Sequence, residues 1–412
     1  MKYIILIGDG MADNPVPALG GRTPLEAAET PALDALAARS IVGSARTVPI
    51  GVPPGSDTAI LSICGYDPRR FYTGRAPLEA AGAGVRLAAG DVAYRCNMVS
   101  LEGEGLPFEE KRILSHNGGS IDGDTACLLM NDLLEEPDFA ALMKKTGIRV
   151  EVSPSFRHIA VQSGAGAEGL VTMPPHDHLG ETAGGLLPTG CSSGALIEFM
   201  RRANAFLEKH PANRARTEQN KLPANGLWFW AEGTVATLPT FAEFFGKTGF
   251  VVSAVPLVWG IGALAGLDKI VVPGATGELD TDYEGKAAAV LRGLREGYDF
   301  ALMHIEAPDE CTHMGDLPGK LEAIKRLDER ALRPLLQGLD GMGEAYRLVI
   351  LSDHKTLTDT RGHDGDPVPF LLFDSRADVA GPARCTEKNA AGGPALEDGT
   401  RLISVLFERE SL

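Results

Sequence analysis

The sequence has no Cys-x-x-Cys pair. Its six cysteines (Cys64, Cys96, Cys127, Cys191, Cys311, Cys385) are scattered over 412 residues. That spacing excludes a disulfide frame and points to reduced thiols in a cytoplasmic protein. Runs of Lys or Arg are also missing: 39 basic residues stand against 55 acidic ones, a net charge of −16. A general nucleic-acid binder is thereby excluded. There is no P-loop, no kinase-type glycine-rich loop, no internal repeat and no low-complexity segment. The opening, MKYIILIGDGMAD, has one Lys, a short apolar stretch and no small-residue cleavage site, so no signal peptide is expected. Only Phe250–Leu267 is long and uncharged. Its β-branched first half, Pro256 and repeated glycines read as a buried strand and a glycine-rich turn rather than a membrane span.

What is present suits a large globular core, with 44% hydrophobic residues and a length that predicts two domains. Short apolar runs at Tyr3–Ile7, Leu227–Trp230, Phe250–Val255, Lys269–Val272, Phe300–Ile305 and Arg347–Leu351 predict strands buried on both faces. Helical patterns lie between them at Thr30–Arg39, Ser56–Cys64, Asp282–Leu294 and Pro318–Leu336. The alternation predicts an α/β fold: a mostly parallel sheet with helices on both faces. From about Gly90 to Gly190 the text turns rich in glycine and loop-like histidines. This predicts an inserted α+β domain over 90–190, with 1–89 and 191–412 forming the first domain. The stretch after Asp374 is Ala/Gly-rich and reads as a partly mobile loop before a helix from Arg401, with no assigned role.

The chemistry lies where strands stop, and in parallel α/β sheets ligands bind at the carboxyl ends of strands. Tyr3–Ile7 runs into Asp9. Phe300–Ile305 runs into Glu306, Asp309 and His313. Arg347–Leu351 runs into Asp353 and His354, with His363 nine residues on. Ser56 follows a Pro-Pro-Gly loop at an apparent helix start, a place that favours an anion. Taken singly, each has a plainer reading. Asp9 suits a turn, Asp309/His313 a surface pair, Asp353–His354 an ordinary loop and Ser56 a helix cap. Together they place carboxylates, imidazoles and one hydroxyl at one edge of the sheet. Seven such ligands exceed the needs of one ion and predict two divalent cations clamping a phosphoryl group.

The segments GDGMAD, PPGSDTAILSICGYDP, YTGRAPLEAAGAGV, RCNMVS, PHD, VPGATGELDTDYEGKA, HIEAPDECTHMGD and DHKTLTDTRGHDGDPVPF resemble, in order from Met1 to about Phe373, the archaeal-type cofactor-independent phosphoglycerate mutases of the alkaline phosphatase superfamily. The resemblance implies an alkaline-phosphatase-like domain interrupted by a substrate-gripping insert. It implies Asp9, Ser56, Asp353 and His354 around one metal, Asp309, His313 and His363 around the other, and Ser56 as nucleophile. Mn²⁺ is the first choice, with Mg²⁺, Co²⁺ or Zn²⁺ as alternatives. Activity would fall as pH drops through the imidazole range. Substrate binding is implied for Arg95, His116 and Arg157 in the insert, and for Lys221 reaching the phosphate from the core domain. Arg75 fits a phosphate or a carboxylate partner equally; Arg157 also fits a surface salt bridge, and His116 a turn. Four departures from the family pattern stand out: Pro256 and Trp259 replace an Asp and a Lys, Ile60 replaces an Asn, and Cys311–Thr312 replaces Ala-Gly. None removes a proposed metal ligand.

The expected reaction interconverts 3-phosphoglycerate and 2-phosphoglycerate. Two alternatives stand beside it: a homoserine-kinase-type phosphotransferase on the same scaffold, and a non-catalytic metal or phosphoester-binding protein. The expected partner is a small phosphorylated substrate, without nucleic acid or membrane; oligomeric state is not legible.

Overall fold

The computed structural model describes residues 1–412. In chain order the strands are β1 Lys2–Gly8, β2 Ile41–Ala45, β3 Val92–Glu102, β4 Arg112–Ser115, β5 Ile148–Glu151, β6 Arg157–Gln162, β7 Gly226–Thr234, β8 Gly249–Val252, β9 Asp268–Ile270, β10 Phe300–Ile305, β11 Tyr346–Leu351, β12 Lys355–Thr356, β13 His363–Asp364, β14 Val368–Asp374 and β15 Ala395–Leu396. The chain divides into two units, Met1–Tyr72 with Thr237–Leu412, and Thr73–Ala236.

The first unit is built on an eight-stranded sheet of order β15-β2-β14-β11-β1-β10-β8-β9. The pairings from β9 through β8, β10 and β1 to β11 are parallel, and β14 is antiparallel to both of its neighbours. Every residue of β1 and β10 is buried. Ile4, Leu6, Ala301, Met303, Leu348 and Ile350 share a core with the helices Pro31–Ala37, Tyr283–Arg295 and Arg333–Asp340. Ile5, Ile7, Leu302 and Val349 are buried outside that cluster. Cover on both faces is what allows strands without polar alternation. The fold is therefore the mostly parallel α/β arrangement expected. Because β1 lies between β10 and β11, three carboxyl ends come side by side.

The second unit is a five-stranded antiparallel sheet in which β3 pairs with β4, β6 and β7, and β6 with β5. Its core holds Trp228, Phe229, Phe139 and Phe199, with helices Gly123–Glu135, Pro137–Thr146 and Ser193–Leu207 contributing.

Several expectations need correction. The unit carved out of the first spans 73–236 rather than 90–190. At its start, helix Arg75–Gly82 lays Ala76 and Ala80 on Ala93, Ile159 and Val161. At its end, the run Leu227–Trp230 belongs to β7, which lies along β3 rather than in the parallel sheet. The glycine-rich turn expected after β8 is instead a helix, Pro256–Leu264, with Pro256 in its first turn. Within residues 375–400 the latter part is tied down, whereas 375–378 are exposed: β15 pairs with β2, and Arg384 bonds the carbonyls of Leu25, Glu26 and Ala28 and the Asp34 carboxylate. No helix is long and apolar enough to cross a membrane.

Candidate active site

Asp9 directly follows β1. Asp353 and His354 follow β11. After β10 the single residue Glu306 leads into helix Ala307–His313, which carries Asp309 and His313 four residues apart and so on one face. His363 opens β13, which folds back on β12. Ser56 begins helix Ser56–Ile63 beyond β2, and the loop before it is tied down where Thr47 Oγ1 donates to the Asp353 carbonyl.

These elements bring all seven proposed metal residues together. Ser56 Oγ lies 3.4 Å from Asp9 Oδ2 and 3.2 Å from His354 Nε2. His313 Nε2 is 3.0 Å from both Asp309 Oδ2 and His363 Nε2. Thr356 Oγ1 donates to Asp309 Oδ1 at 2.5 Å and lies 3.2 Å from His354 Nδ1, linking the two halves of the cluster. The sets Asp309/His313/His363, Asp9/Asp309/His354 and Asp9/His304/Asp353 each hold ligand atoms within 4.8 Å of one another.

Protonation follows from burial and neighbours. Burial, with the charges of Asp353, Asp309 and Glu306, raises Asp9 well above the usual carboxylate range. For Asp309 burial also pushes upward, but hydrogen bonds from His313 and His363 prevail and hold it well below that range. His313 is raised to about 9 by its bond to Asp309, against burial. Burial lowers His354.

The residues fit cations. Gly10 and His354 backbone N–H groups hold Asp353 Oδ1 at 3.2 and 3.0 Å, while its Oδ2 is buried with no hydrogen-bond partner. In Asp9, Oδ2 is engaged and Oδ1 is buried without a partner. A bare carboxylate oxygen in a dry interior is costly, and a cation offsets that cost. His313 Nδ1 bonds the Arg361 carbonyl at 2.7 Å, so this nitrogen carries hydrogen and Nε2 is left as the ligating atom.

In the second unit, four of the five expected substrate residues gather. Glu79 accepts from Arg95 Nε and Nη2 at 2.8 and 2.6 Å and from Arg75 Nε at 3.1 Å. Burial alone would raise Glu79, but Arg95 and Arg75 hold it at about 2. Burial lowers Arg95 to about 9, leaving it charged at neutral pH. The Arg95 and Arg157 guanidinium carbons lie 4.5 and 6.0 Å from the Trp230 ring centre. His176 meets Trp230 edge-on and also meets His116, which in turn meets Phe156. Lys221 is not among them. It is exposed after helix Pro211–Glu218 and belongs to the second unit, not the core domain from which it was expected to act.

His304, Thr356, Glu79, His176 and Trp230 join these sites without having been expected from the sequence. For Glu79 a signal existed, since Arg75 and Glu79 are spaced i,i+4 on a helix. His304 lies inside a wholly buried strand, where no alternation separates a working side chain from the core.

A family model described as 2,3-bisphosphoglycerate-independent phosphoglycerate mutase matches residues 37–213. The chain is 43% identical to a probable 2,3-bisphosphoglycerate-independent phosphoglycerate mutase of Geobacter sulfurreducens, over 99% of this chain and 100% of that one. It is 44% identical to a 2,3-bisphosphoglycerate-independent phosphoglycerate mutase of Methanosarcina acetivorans, over 93% and 92%. Among solved structures it resembles a Pyrococcus horikoshii protein (TM-score 0.79, 29% identity, 100% and 99% covered). It also resembles the cofactor-independent phosphoglycerate mutase of Thermoplasma acidophilum (TM-score 0.64, 26% identity, 99% and 100% covered).

Proposed function

The chain belongs to the 2,3-bisphosphoglycerate-independent phosphoglycerate mutases, and from that premise we propose that it interconverts 3-phosphoglycerate and 2-phosphoglycerate through a phosphoryl group carried on Ser56. The observation that carries this reading is the meeting of Ser56 Oγ with Asp9 and His354 at a helix start, beside two buried carboxylates that each keep one bare oxygen. Asp9, Ser56, Asp353 and His354 would hold one divalent cation, Mn²⁺ first, and Asp309, His313 and His363 a second. Such a pair supplies positive charge to the phosphoryl oxygens and eases loss of the serine proton.

The rest falls to the chain's own groups. Ser56 Oγ forms a bond to phosphorus in line with the substrate P–O bond that breaks. The proton lost by Ser56 ends on the hydroxyl that the glycerate regains, and the second transfer, to the other hydroxyl, reverses that balance. Helix Ser56–Ile63 has Ser56 at its N-terminal end, and the positive end of the helix dipole favours the anion formed there. We assign catalysis to the first unit and substrate binding to the second. There Arg75, Arg95 and Arg157 outweigh Glu79 by two charges and, with His116, suit the glycerate carboxylate. The cysteines, none of them in a disulfide, are in keeping with a cytoplasmic enzyme.

A coupled assay with 3-phosphoglycerate and Mn²⁺ tests the proposal. Turnover to 2-phosphoglycerate is expected, together with its loss in Ser56→Ala and a phosphorylated Ser56 peptide after rapid quenching of the wild type. Phosphorylation of homoserine without mutase turnover would overturn it.

A further inference from the structure

Beside the seven proposed ligands lies a fully buried imidazole with no role yet, that of His304 near the end of β10. Its Nε2 is 2.9 Å from Asp9 Oδ2 and its Nδ1 is 3.2 Å from Ser253 Oγ. Ser253 sits just past the end of β8, and its hydroxyl oxygen also accepts the Val255 N–H at 3.0 Å. The Lys286 ammonium donates to the His304 carbonyl at 3.3 Å and fixes the backbone there.

One arrangement gives every donor an acceptor. Ser253 Oγ accepts the Val255 N–H and sends its own proton into His304 Nδ1, the one acceptor found for it. The ring hydrogen then sits on Nε2 and donates to Asp9 Oδ2, and every donor has an acceptor. With Asp9 ionised, as holding a cation requires, the opposite tautomer would set the Nε2 lone pair against a carboxylate oxygen and leave the serine proton without an acceptor in a dry interior.

We infer that Ser253 and His304 form a positioning relay for Asp9: by binding Oδ2 through a ring hydrogen, His304 fixes the carboxylate plane and leaves Oδ1 as the oxygen offered to the cation. The inference rests on the metal-centre reading above. It gives His304 a supporting role and not a ligating one, although its ring nitrogen lies within the Asp9/Asp353 group. It also accounts for the asymmetry of Asp9, where Oδ2 is hydrogen-bonded and Oδ1 is not, with His354 Nε2 3.6 Å from it.

The test is Mn²⁺ binding to the metal-free full-length protein, by calorimetry and by electron paramagnetic resonance, for wild type, His304→Ala, His304→Gln, Ser253→Ala and the double alanine variant. A glutamine amide can donate from the position of Nε2 but offers no ring lone pair. Expected are a 10–100-fold loss of affinity in His304→Ala, a smaller one in Ser253→Ala, and recovery to within about threefold of wild type in His304→Gln, in the range found when second ligand shells are removed. Ser253→Ala should cost nothing further once His304 is alanine. His304→Gln binding as weakly as His304→Ala would make the ring nitrogen a ligand and overturn the relay, and so would additive losses in the double variant. If His304→Ala does not fold, the comparison of His304→Gln and Ser253→Ala with wild type still decides. Wild-type protein that binds no Mn²⁺ removes the metal centre and the relay together; wild-type binding with unaffected variants removes the relay alone.

Discussion

Two residues at the candidate centre make predictions of their own. Gly10 has φ +59°, and a Cβ there would lie 2.6 Å from Asp309 Oδ1, while its N–H holds Asp353. No other residue leaves both carboxylates where they are, so Gly10→Ala should reduce kcat on the order of 100-fold, as small misplacements at reacting centres do. Wild-type turnover in that variant would show that the two carboxylates need not be held this closely. His313 concerns protons. Its folded value of about 9 lies above that of a free imidazole, so its proton stabilises the metal-free fold fully below about pH 6.5, and that contribution is lost as pH rises through about 9. A cation at Nε2 must displace this proton. Mn²⁺ affinity should therefore rise up to about tenfold per pH unit until about pH 9, with one proton released per ion at that site. Calorimetric heats that do not change with the ionisation enthalpy of the buffer would sink this. Asp9, Asp309, Asp353 and His354 were legible because a charge ending an apolar run stands out. His304 was hidden by the run itself.

At the scale of elements, β1, β10 and β11 were legible from composition alone, since strands buried on both faces cannot alternate. β2 and β14 were not. β2 is short and carries Gly43 and Ser44, and β14 carries Pro369, which reads as a strand breaker until its antiparallel pairing is known. β7 has the same buried look as β1, so its sheet could not be told from its text. Helix Arg75–Gly82 makes the clearest prediction for an element. It delivers Glu79 to the buried Arg95, whose charge has no other carboxylate on its Nε and Nη2. Glu79→Ala should cost about 3–5 kcal/mol in urea unfolding, the range for breaking a buried pair from one side, and should raise KM for phosphoglycerate. Adding Arg95→Met should recover part of the stability but not the KM. Because Glu79 is held at about 2, its contribution is present above about pH 4.5 and fades as pH falls toward 2. A loss under about 1 kcal/mol in Glu79→Ala would place this pair with exposed ion pairs and end the argument.

At the scale of the molecule, the chain carries −16 overall yet gathers three arginines around one carboxylate in the second unit and leaves the buried Asp9 Oδ1 and Asp353 Oδ2 without hydrogen bonds in the first. The seven proposed metal residues all lie in the first unit, so stabilisation by metal is expected there. Each unit has a core of its own residues, Ile4, Leu6 and Met303 in one, Trp228, Phe199 and Leu129 in the other. A ligand that binds only the folded first unit stabilises it by about 2.7 kcal/mol at a hundred times its dissociation constant. The three tryptophans allow the units to be watched apart, because Trp228 and Trp230 lie in the second and Trp259 in the first. In Trp259→Phe, fluorescence reports the second unit, whereas circular dichroism reports both. Chelation by EDTA should lower the melting transition seen by circular dichroism and leave the fluorescence transition in place. Equal shifts in both signals would mean that the two cores melt as one body, and then metal held by Asp9, Asp309 and Asp353 would be stabilising Trp228 and Trp230 as well.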